Sequence, residues 1–540
     1  MRPEFLGETA VHRRTLLTGA GAVAAASSLP KFAIAQAPGS RVLKFIPQSD
    51  LAVLDPIVTT AYVTRHHAFM VYDTLYGIDA DYNAQPQMAE GHTVEQDGKL
   101  VTITLRPGLL WHDGAKVLAK DCVASIRRWA ARDGLGQVLM SLTDELSAPD
   151  DRSIVFRLKR PFPLLLDALA KPSTPVCFMM PERLANTDSA TPLREVMGSG
   201  PYTFLANERV PGSRIVYERF DKYVPRPEGT ASWTSGPKKV NFDRVEWHVI
   251  PDASTAANAL QNGEMDWWEQ PTADLQPMLR RNRNVLMEIP DPTGLMALCR
   301  FNQLHPPFDK PEVRRALFGA INQSDFMTAV IGTDRSLFRD GVGFFPPGTP
   351  MASDVGLQAI TSPRDMDKVK RELAAAGYGG EPITLIAASD FPSLSALAQV
   401  GNDMFKQAGM NVEFVSTDWG SVVQRRASKE PPAKGGWNVF FTFFAGIDMF
   451  NPAVHQSLRG TGQQAWFGWP TAPKLEELRN KWLEAPDLAA QQAVAREVQL
   501  QAFQDVPYLP LGQYFQATAY RRGITGVLKG MPLFWNLQRS

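Results

Sequence analysis

Along residues 100–105 the apolar positions Val101, Ile103 and Leu105 alternate with Thr102 and Thr104. That period of two predicts a strand with one buried face, and Asp97-Gly98 before it predicts a hairpin turn from residues 92–96. Residues 41–46 and 153–158 read as further strands, and 245–250 as a strong one. Between them the period changes. Val123, Ile126 and Ala130 share one face of a helix expected over 120–132, after a turn at Asp113-Gly114. The turn Gly198-Ser199-Gly200-Pro201 restarts β structure. Ser254 is expected to cap a short helix ending at Gly263, with extended chain following at 265–268.

The run 362–451 is the most informative. Ser362-Pro363-Arg364-Asp365 fits a capping box with Pro at the first helical position, and Met366, Val369, Leu373 and Ala376 follow at helical spacing to Gly377. A strand at 383–387, a helix at 393–408 and a strand at 411–416 come next. Asp418 caps another helix expected to reach about Lys429, and 437–444 is again a strand. This βαβαβ order predicts an α/β fold with a mostly parallel sheet covered by helices. Open sheets of that kind bind ligands beyond the carboxyl ends of their strands. Asp448 stands there, just past the last strand.

The chain begins differently. Arg13-Arg14 lead into an uncharged stretch from Leu16 to Leu29, which stops near the small-residue triplet Ala35-Gln36-Ala37. Fourteen residues are too few for a membrane span, which needs about 20. A positive flank, short apolar middle and small-x-small triplet form an export signal, and the arginine pair resembles the twin-arginine class. Gly19 to Ala24 also fit a dinucleotide fingerprint, but no strand precedes them. With cleavage after Ala37 the chain is expected to be soluble and periplasmic, with no insertion in a membrane.

Without residues 1–37, the 56 basic and 56 acidic side chains fall to 52 and 54, a net charge of −2. That balance points to neither nucleic acid nor a membrane surface. Cys122, Cys177 and Cys299 lie 55 and 122 residues apart, which excludes zinc-ribbon and CxxC patterns and reads best as buried free thiols. Eight histidines form no HExxH, and His66-His67 diverge on a helix. There is no GxSxG elbow and no P-loop, and Ser235 to Lys238 has Gly-Pro inside its SxxK. The expectation is no enzyme, no metal and no cofactor. Aromatic residues are grouped instead, at Trp267-Trp268, Phe440-Phe441, Phe443-Phe444, Trp466-Phe467 and Trp469. A continuous apolar run at 437–444 suits a strand buried on both faces. Trp267 and Trp268, as neighbours on a strand, point to opposite faces, so one is expected in the core and the other beside a cleft.

The segments LDPIVTT, YDTLYGIDADYNAQPQMAEGH, LRPGLLWHDGAKVLAKDCVASIRRW, GSGPYTF, LQNGEMDWW, FDKPEVRRALFGAIN and QDVPYLPL follow one another from residue 54 to 511. In that order they resemble the extracytoplasmic solute-binding proteins of the dipeptide/oligopeptide ABC importer family. The resemblance implies two α/β lobes closing over a ligand, with an extra subdomain inserted in the first. It maps the first lobe to 38–77, 196–268 and 510–540, the subdomain to 78–195 and the second lobe to 269–509. Crossings then fall near Trp268-Glu269 and 507–512, which brings Trp267, Trp268, Gln513 and Tyr514 close to the cleft.

Asp448 to Pro452 is similar to the site where peptide-binding members hold the ligand's α-ammonium. A carboxylate between Phe444, Met449 and Phe450 is poorly solvated and needs a cation. The competing reading is that Asp448 caps a following helix, with Asn451 and Pro452 marking a turn. Dipeptide binders also carry an Arg early in the helix matching 393–408, where this chain has Ser393-Leu394-Ser395-Ala396. The expected ligand is a peptide or peptide-like amine delivered by a monomer to ABC permease transmembrane subunits. A non-peptide solute (sugar, opine, metal chelate) and an exported hydrolase are the alternatives.

Overall fold

A strand covered on both faces needs apolar residues throughout. Leu295–Phe301 and Val439–Ala445 meet that demand, and they lie side by side at the centre of a six-stranded sheet with every residue buried. The computed structural model describes residues 41–540, so the expected export signal, with Arg13, Arg14 and Ala37, lies outside the described residues.

Three sheets organise these residues. The first has seven strands, ordered Tyr202–Phe204, Arg214–Arg219, Arg244–His248, Val42–Ile46, Trp267–Trp268, Thr518–Arg521 and Val285–Glu288. Val42–Ile46 runs parallel to both its neighbours. On one face Phe45, Trp247, Trp267 and Phe534 form an aromatic cluster with ring centroids 5.0–5.7 Å apart. The second sheet runs Phe338–Arg339, Tyr508–Tyr514, Leu295–Phe301, Val439–Ala445, Pro382–Ala388 and Asn411–Thr417. The third is an antiparallel sheet of Ala89–Glu95, Leu100–Leu105, Ser153–Leu158 and Thr143–Ser147, built entirely inside the span expected for the subdomain.

The βαβαβ run forms as its periodicity dictates: Pro382–Ala388 pairs in parallel with both Asn411–Thr417 and Val439–Ala445. The expectation of a mostly parallel sheet needs correction beyond that run. Leu295–Phe301 is antiparallel to Val439–Ala445 and to Tyr508–Tyr514. The helix Pro392–Gln407 packs on the parallel part, and Gly401 sets how closely it approaches. A Cβ there would lie 1.9 Å from the Phe441 ring.

Two caps differ from expectation. Asp252, not Ser254, caps Ala253–Asn262 by accepting from the Thr255 N–H. Asp365, not Ser362, caps Met366–Ala375 by accepting from the Lys368 N–H. Asp418 caps as expected, but its helix ends at Arg425 rather than near Lys429. Gly263 and Gly377 do close their helices, at φ values of 81° and 83° that other residues rarely adopt.

The sheets also shift the expected crossings. Val285–Glu288 still pairs with Thr518–Arg521 in the first sheet, beyond the boundary expected at Trp268-Glu269. Tyr508–Tyr514 belongs to the second sheet along its whole length. The chain therefore passes between the two sheets at 289–294 and at 515–517. Backbone pairing decides this, because a strand cannot change sheets while its ladder continues. All three cysteines are free and buried.

Candidate functional site

Helix Tyr62–Val71 carries Tyr62, Arg65 and His66 at i, i+3 and i+4, so the three side chains share one face. That face meets the end of the strand Val439–Ala445 and the short 3-10 turn Gly446–Asp448. Tyr62 Oη donates to Asp448 Oδ2 and accepts from the Ala445 N–H at 2.5 Å. Arg65 Nη1 lies 3.4 Å from Asp448 Oδ2 and 3.5 Å from Oδ1, and 3.3 Å from the Pro172 carbonyl. Its guanidinium sits 4.0 Å from the Tyr62 ring centroid. The carboxylate is 4% exposed. Burial raises its pKa, opposed by the Arg65 charge and by the Tyr62 hydrogen bond.

These contacts decide one question about Asp448. The turn after it is held by Asn451, whose Oδ1 accepts from the Ala453 and Val454 N–H groups at 2.9 and 3.2 Å. Asp448 points across the interface to the helix Tyr62–Val71, and among the described residues its carboxylate accepts from no backbone N–H. The cation expected from a ligand is already partly supplied by Arg65, at the long distance of 3.4–3.5 Å. The loop is gripped from behind by the crossing segment 289–294: Gly446 N–H donates to Gly294 O at 2.7 Å and Ile447 N–H to Thr293 Oγ1 at 3.0 Å. Movement at that crossing would therefore be felt at Asp448.

Behind the pair lies a cavity of about 70 Å³ lined by Tyr62, Arg65, His66, Trp267, Glu269 and Asp291. Glu269 accepts from the Gln48 N–H at 2.7 Å and stands 3.4 Å from His66 Nδ1. Burial pushes the Glu269 carboxyl up to about 8, against the Gln48 hydrogen bond and the Arg65 charge. Burial and then Arg65 hold His66 well below the usual imidazole range. Both groups thus favour their neutral forms. Burial also pushes Asp291 up to about 6.

The sign of the pH effect follows. Between the ordinary 4.5 and about 8, folded Glu269 keeps a proton that the unfolded chain has released. Its contribution to stability is complete below 4.5 and is lost as pH rises through about 8. Glu269→Gln should therefore gain stability relative to wild type as pH rises across that window, read as the difference in Tm. A difference that stays flat with pH would mean that this carboxyl ionises as freely in the fold as in water.

Two larger clefts open elsewhere, one beside Trp268 of the first sheet and one between the loop 53–60, the residues around 131–192 and the segment 423–469. One of about 670 Å³ is lined by Gln48, Trp268, Phe391 and Ser393, among others. The other, about 700 Å³, is lined by Thr60, Gln464, Trp466 and Trp469. Both fall in the size range of small-molecule sites. A cavity of about 20 Å³ lies between them, walled by Tyr62, Leu394, Trp419, Arg426 and Phe444. Trp466 Nε1 bridges the interface to Thr60 Oγ1 at 3.2 Å.

The residues expected in the site separate accordingly. Asp448 and Phe444 lie at the interface, with Phe444 edge-on to Trp466 at 5.2 Å. Trp267 and Trp268 point to opposite faces as expected, yet both are buried, at 2% and 5% exposure. Trp267 donates from Nε1 to Thr518 Oγ1 at 2.6 Å and borders the 70 Å³ cavity, while Trp268 borders the 670 Å³ cleft. Gln513 and Tyr514 are buried strand residues. Gln513 Nε2 donates to Thr293 O at 2.8 Å, and the Tyr514 ring packs edge-on to Phe443. They support the site from within the sheet. Tyr62, Arg65, Glu269 and Arg426 were not anticipated. The i, i+3 spacing of Tyr62 and Arg65 just after the LDPIVTT segment was the available signal. Among the described residues no group of three or more His, Cys, Asp or Glu is placed to hold a metal, and no helix is long and apolar enough to cross a membrane.

Residues 83–464 match the family described as bacterial extracellular solute-binding proteins, family 5 Middle. A probable peptide ABC transporter periplasmic-binding protein, y4tO of Sinorhizobium fredii, is 35% identical over 98% of this chain and 100% of its own. The glutathione-binding protein GsiB of Pectobacterium atrosepticum is 24% identical over 95% of each chain. Among solved structures, AgaA from A. tumefacien in complex with agropinic acid superposes with a TM-score of 0.76 at 22% identity, over 92% of this chain and 99% of that one. DppA from Helicobacter pylori in complex with the peptide STSA gives 0.75 at 20% identity, over 92% and 98%. These likenesses establish a two-lobed periplasmic-binding-protein fold.

Proposed function

The chain belongs to the family 5 bacterial extracellular solute-binding proteins, and on that premise we propose that it is the periplasmic substrate-binding component of an ABC importer. A peptide or peptide-like amine is held between the two lobes and delivered by the monomer to the permease's transmembrane subunits. The observation that carries this reading is Asp448: a buried carboxylate that reaches the helix Tyr62–Val71 and pairs with Arg65 only at 3.4 Å, in a molecule with two ligand-sized clefts. An ammonium seated there would form a shorter, charge-assisted bond than the 3.4 Å contact it competes with.

Opening of the lobes separates Tyr62 and Arg65 from Asp448, and a solute entering the gap replaces their contacts before the lobes close again. A second reading, an amine-bearing acid of the opine kind, draws support from Ser393-Leu394-Ser395-Ala396, where dipeptide binders carry Arg. AgaA, of like fold, is described with agropinic acid bound. Mass analysis of compounds released from the purified chain separates peptide from opine. In solution scattering, saturating peptide should reduce the radius of gyration, as hinge closure does. An unchanged profile at saturation removes the closing receptor.

Export by the twin-arginine route is part of the same proposal. Replacing Arg13 and Arg14 together by Lys should leave unprocessed chain in the cytoplasm, visible as a heavier band on a blot of fractionated cells. Normal processing of that variant would leave export in place but assign it to another route.

A further inference from the structure

Among the described residues most buried arginines find acceptors; Arg65 lacks one at Nε alone, and Arg426 lacks them at both Nε and Nη2. Arg128 makes a two-pronged ion pair with Asp55 at 3.2 and 2.8 Å. Arg300, inside a fully buried strand, donates to the carbonyls of Phe467, Ser457, Pro507 and Trp466. Arg314 likewise donates to three carbonyls. Arg426 is 2% exposed, and its Nε and Nη2 have no hydrogen-bond partner among the described residues. No carboxylate among the described residues forms an ion pair with it, and burial pulls its pKa down to about 9. It is still a cation at neutral pH.

Its surroundings are aromatic. The guanidinium lies 5.0–5.8 Å from the ring centroids of Trp419, Phe440, Trp466 and Phe467. Such rings attract a cation through their faces but accept no in-plane hydrogen bond. The Arg426 backbone is fixed, its N–H bonded to Val422 O and its carbonyl accepting from Trp437 Nε1 at 3.1 Å. The side chain reaches the wall of the small interlobe cavity that Tyr62 and Phe444 also line. Tyr62, on another wall of that cavity, hydrogen-bonds Asp448, so a carboxylate stands behind one wall and an unpaired guanidinium in another.

We infer that Arg426 receives an anionic group of the bound solute, a carboxylate or other oxyanion, so that the ligand carries a cationic amine and an anion together. This rests on the reading that a solute is held between the lobes. A buried guanidinium with open donors is costly when empty and binds a planar oxyanion through two parallel N–H bonds when occupied. It supplies the role that an early Arg in the helix Pro392–Gln407 would have filled, from a different element of the same lobe.

The test uses the mature chain, with Arg426→Gln, Arg426→Met and Arg426→Lys, in calorimetry and thermal-shift assays. The probes are di-, tri- and tetra-alanine, the same peptides amidated at the C-terminus, and acetate, citrate and inorganic phosphate. Wild type should prefer free acids over amides by roughly 30-fold or more, and the Gln and Met variants should lose that preference. Met fills the aromatic box, so its Tm should match wild type or exceed it; Lys should keep part of the preference. Equal binding of acids and amides by wild type overturns the inference while leaving peptide capture standing. Arg426-dependent stabilisation by the simple anions without peptide binding upholds the anion site and removes the peptide. A preference retained in Arg426→Gln, or no probe distinguishing wild type from it, overturns the inference.

Discussion

Replacing Asp448 by Asn should weaken binding of an amine solute roughly 30- to 4,000-fold, the range for removing one member of a desolvated charge pair at 1.4 kcal/mol per decade. Asn keeps the shape and an acceptor for the Tyr62 hydroxyl, so only the charge is lost. Two readings of the residue remain distinguishable. If Asp448 is the ammonium site, Arg65 is its competitor, and Arg65→Gln should tighten amine binding as Asp448→Asn weakens it. If Asp448 serves only to latch the lobes through Tyr62 and Arg65, both variants open the empty protein and change affinity in the same direction. Calorimetry of the pair, with scattering of the unliganded proteins, separates these cases. Unchanged affinity in Asp448→Asn would dispose of the ammonium site altogether.

Much of the second sheet was legible because its signals are local. The run from Met366 to Ala445 combines helical spacing, capping side chains and short apolar strands, and each can be read within a dozen residues. The misplaced caps share one cause. Ser254 and Ser362 are good capping residues, but the helices begin at Ala253 and Met366, so the N-cap positions fall on Asp252 and Asp365, with Ser254 inside the first turn and Ser362 three residues before the cap. The antiparallel centre was not legible, because Leu295–Phe301 finds its partners more than a hundred residues away and no turn joins them. The site divides in the same way. Asp448 and Phe444 follow from the strand that leads to them. Tyr62 and Arg65 sit more than 380 residues earlier and acquire a role only when the lobes meet. Arg426 was absorbed into a helix expected to run to Lys429, whereas the helix ends at Arg425 with Arg426 as its C-cap. Gln513 and Tyr514 were drawn toward the cleft by a crossing placed a few residues too early.

The largest stability effect should come from Asp55→Ala, at about 3–5 kcal/mol, the range for breaking a buried ion pair. Asp55 is 1% exposed and lies in the loop between the strand Val42–Ile46 and the helix that carries Tyr62 and Arg65. Its carboxylate takes both prongs of Arg128, on the helix Ala119–Ala130, together with the Ile57 N–H at 3.0 Å and the Leu193 N–H at 2.9 Å. One side chain thus ties the first sheet's loop to the helix and chain beside the third sheet. Alanine removes all four acceptor contacts and leaves Arg128 buried with only the Thr187 and Thr191 carbonyls. The loss should appear as a lower urea midpoint at unchanged slope. Asp55→Ala with Arg128→Met should recover the share due to the stranded guanidinium, since replacing both partners of a buried pair by apolar groups is often neutral, while the Ile57 and Leu193 N–H groups stay without their acceptor. If the single variant moves the midpoint no more than an exposed ion pair would, below about 1 kcal/mol, this contact does not anchor the loop. A full loss with recovery in the double variant ties the position of Tyr62 and Arg65, and with it the cleft, to a charge pair far from the ligand.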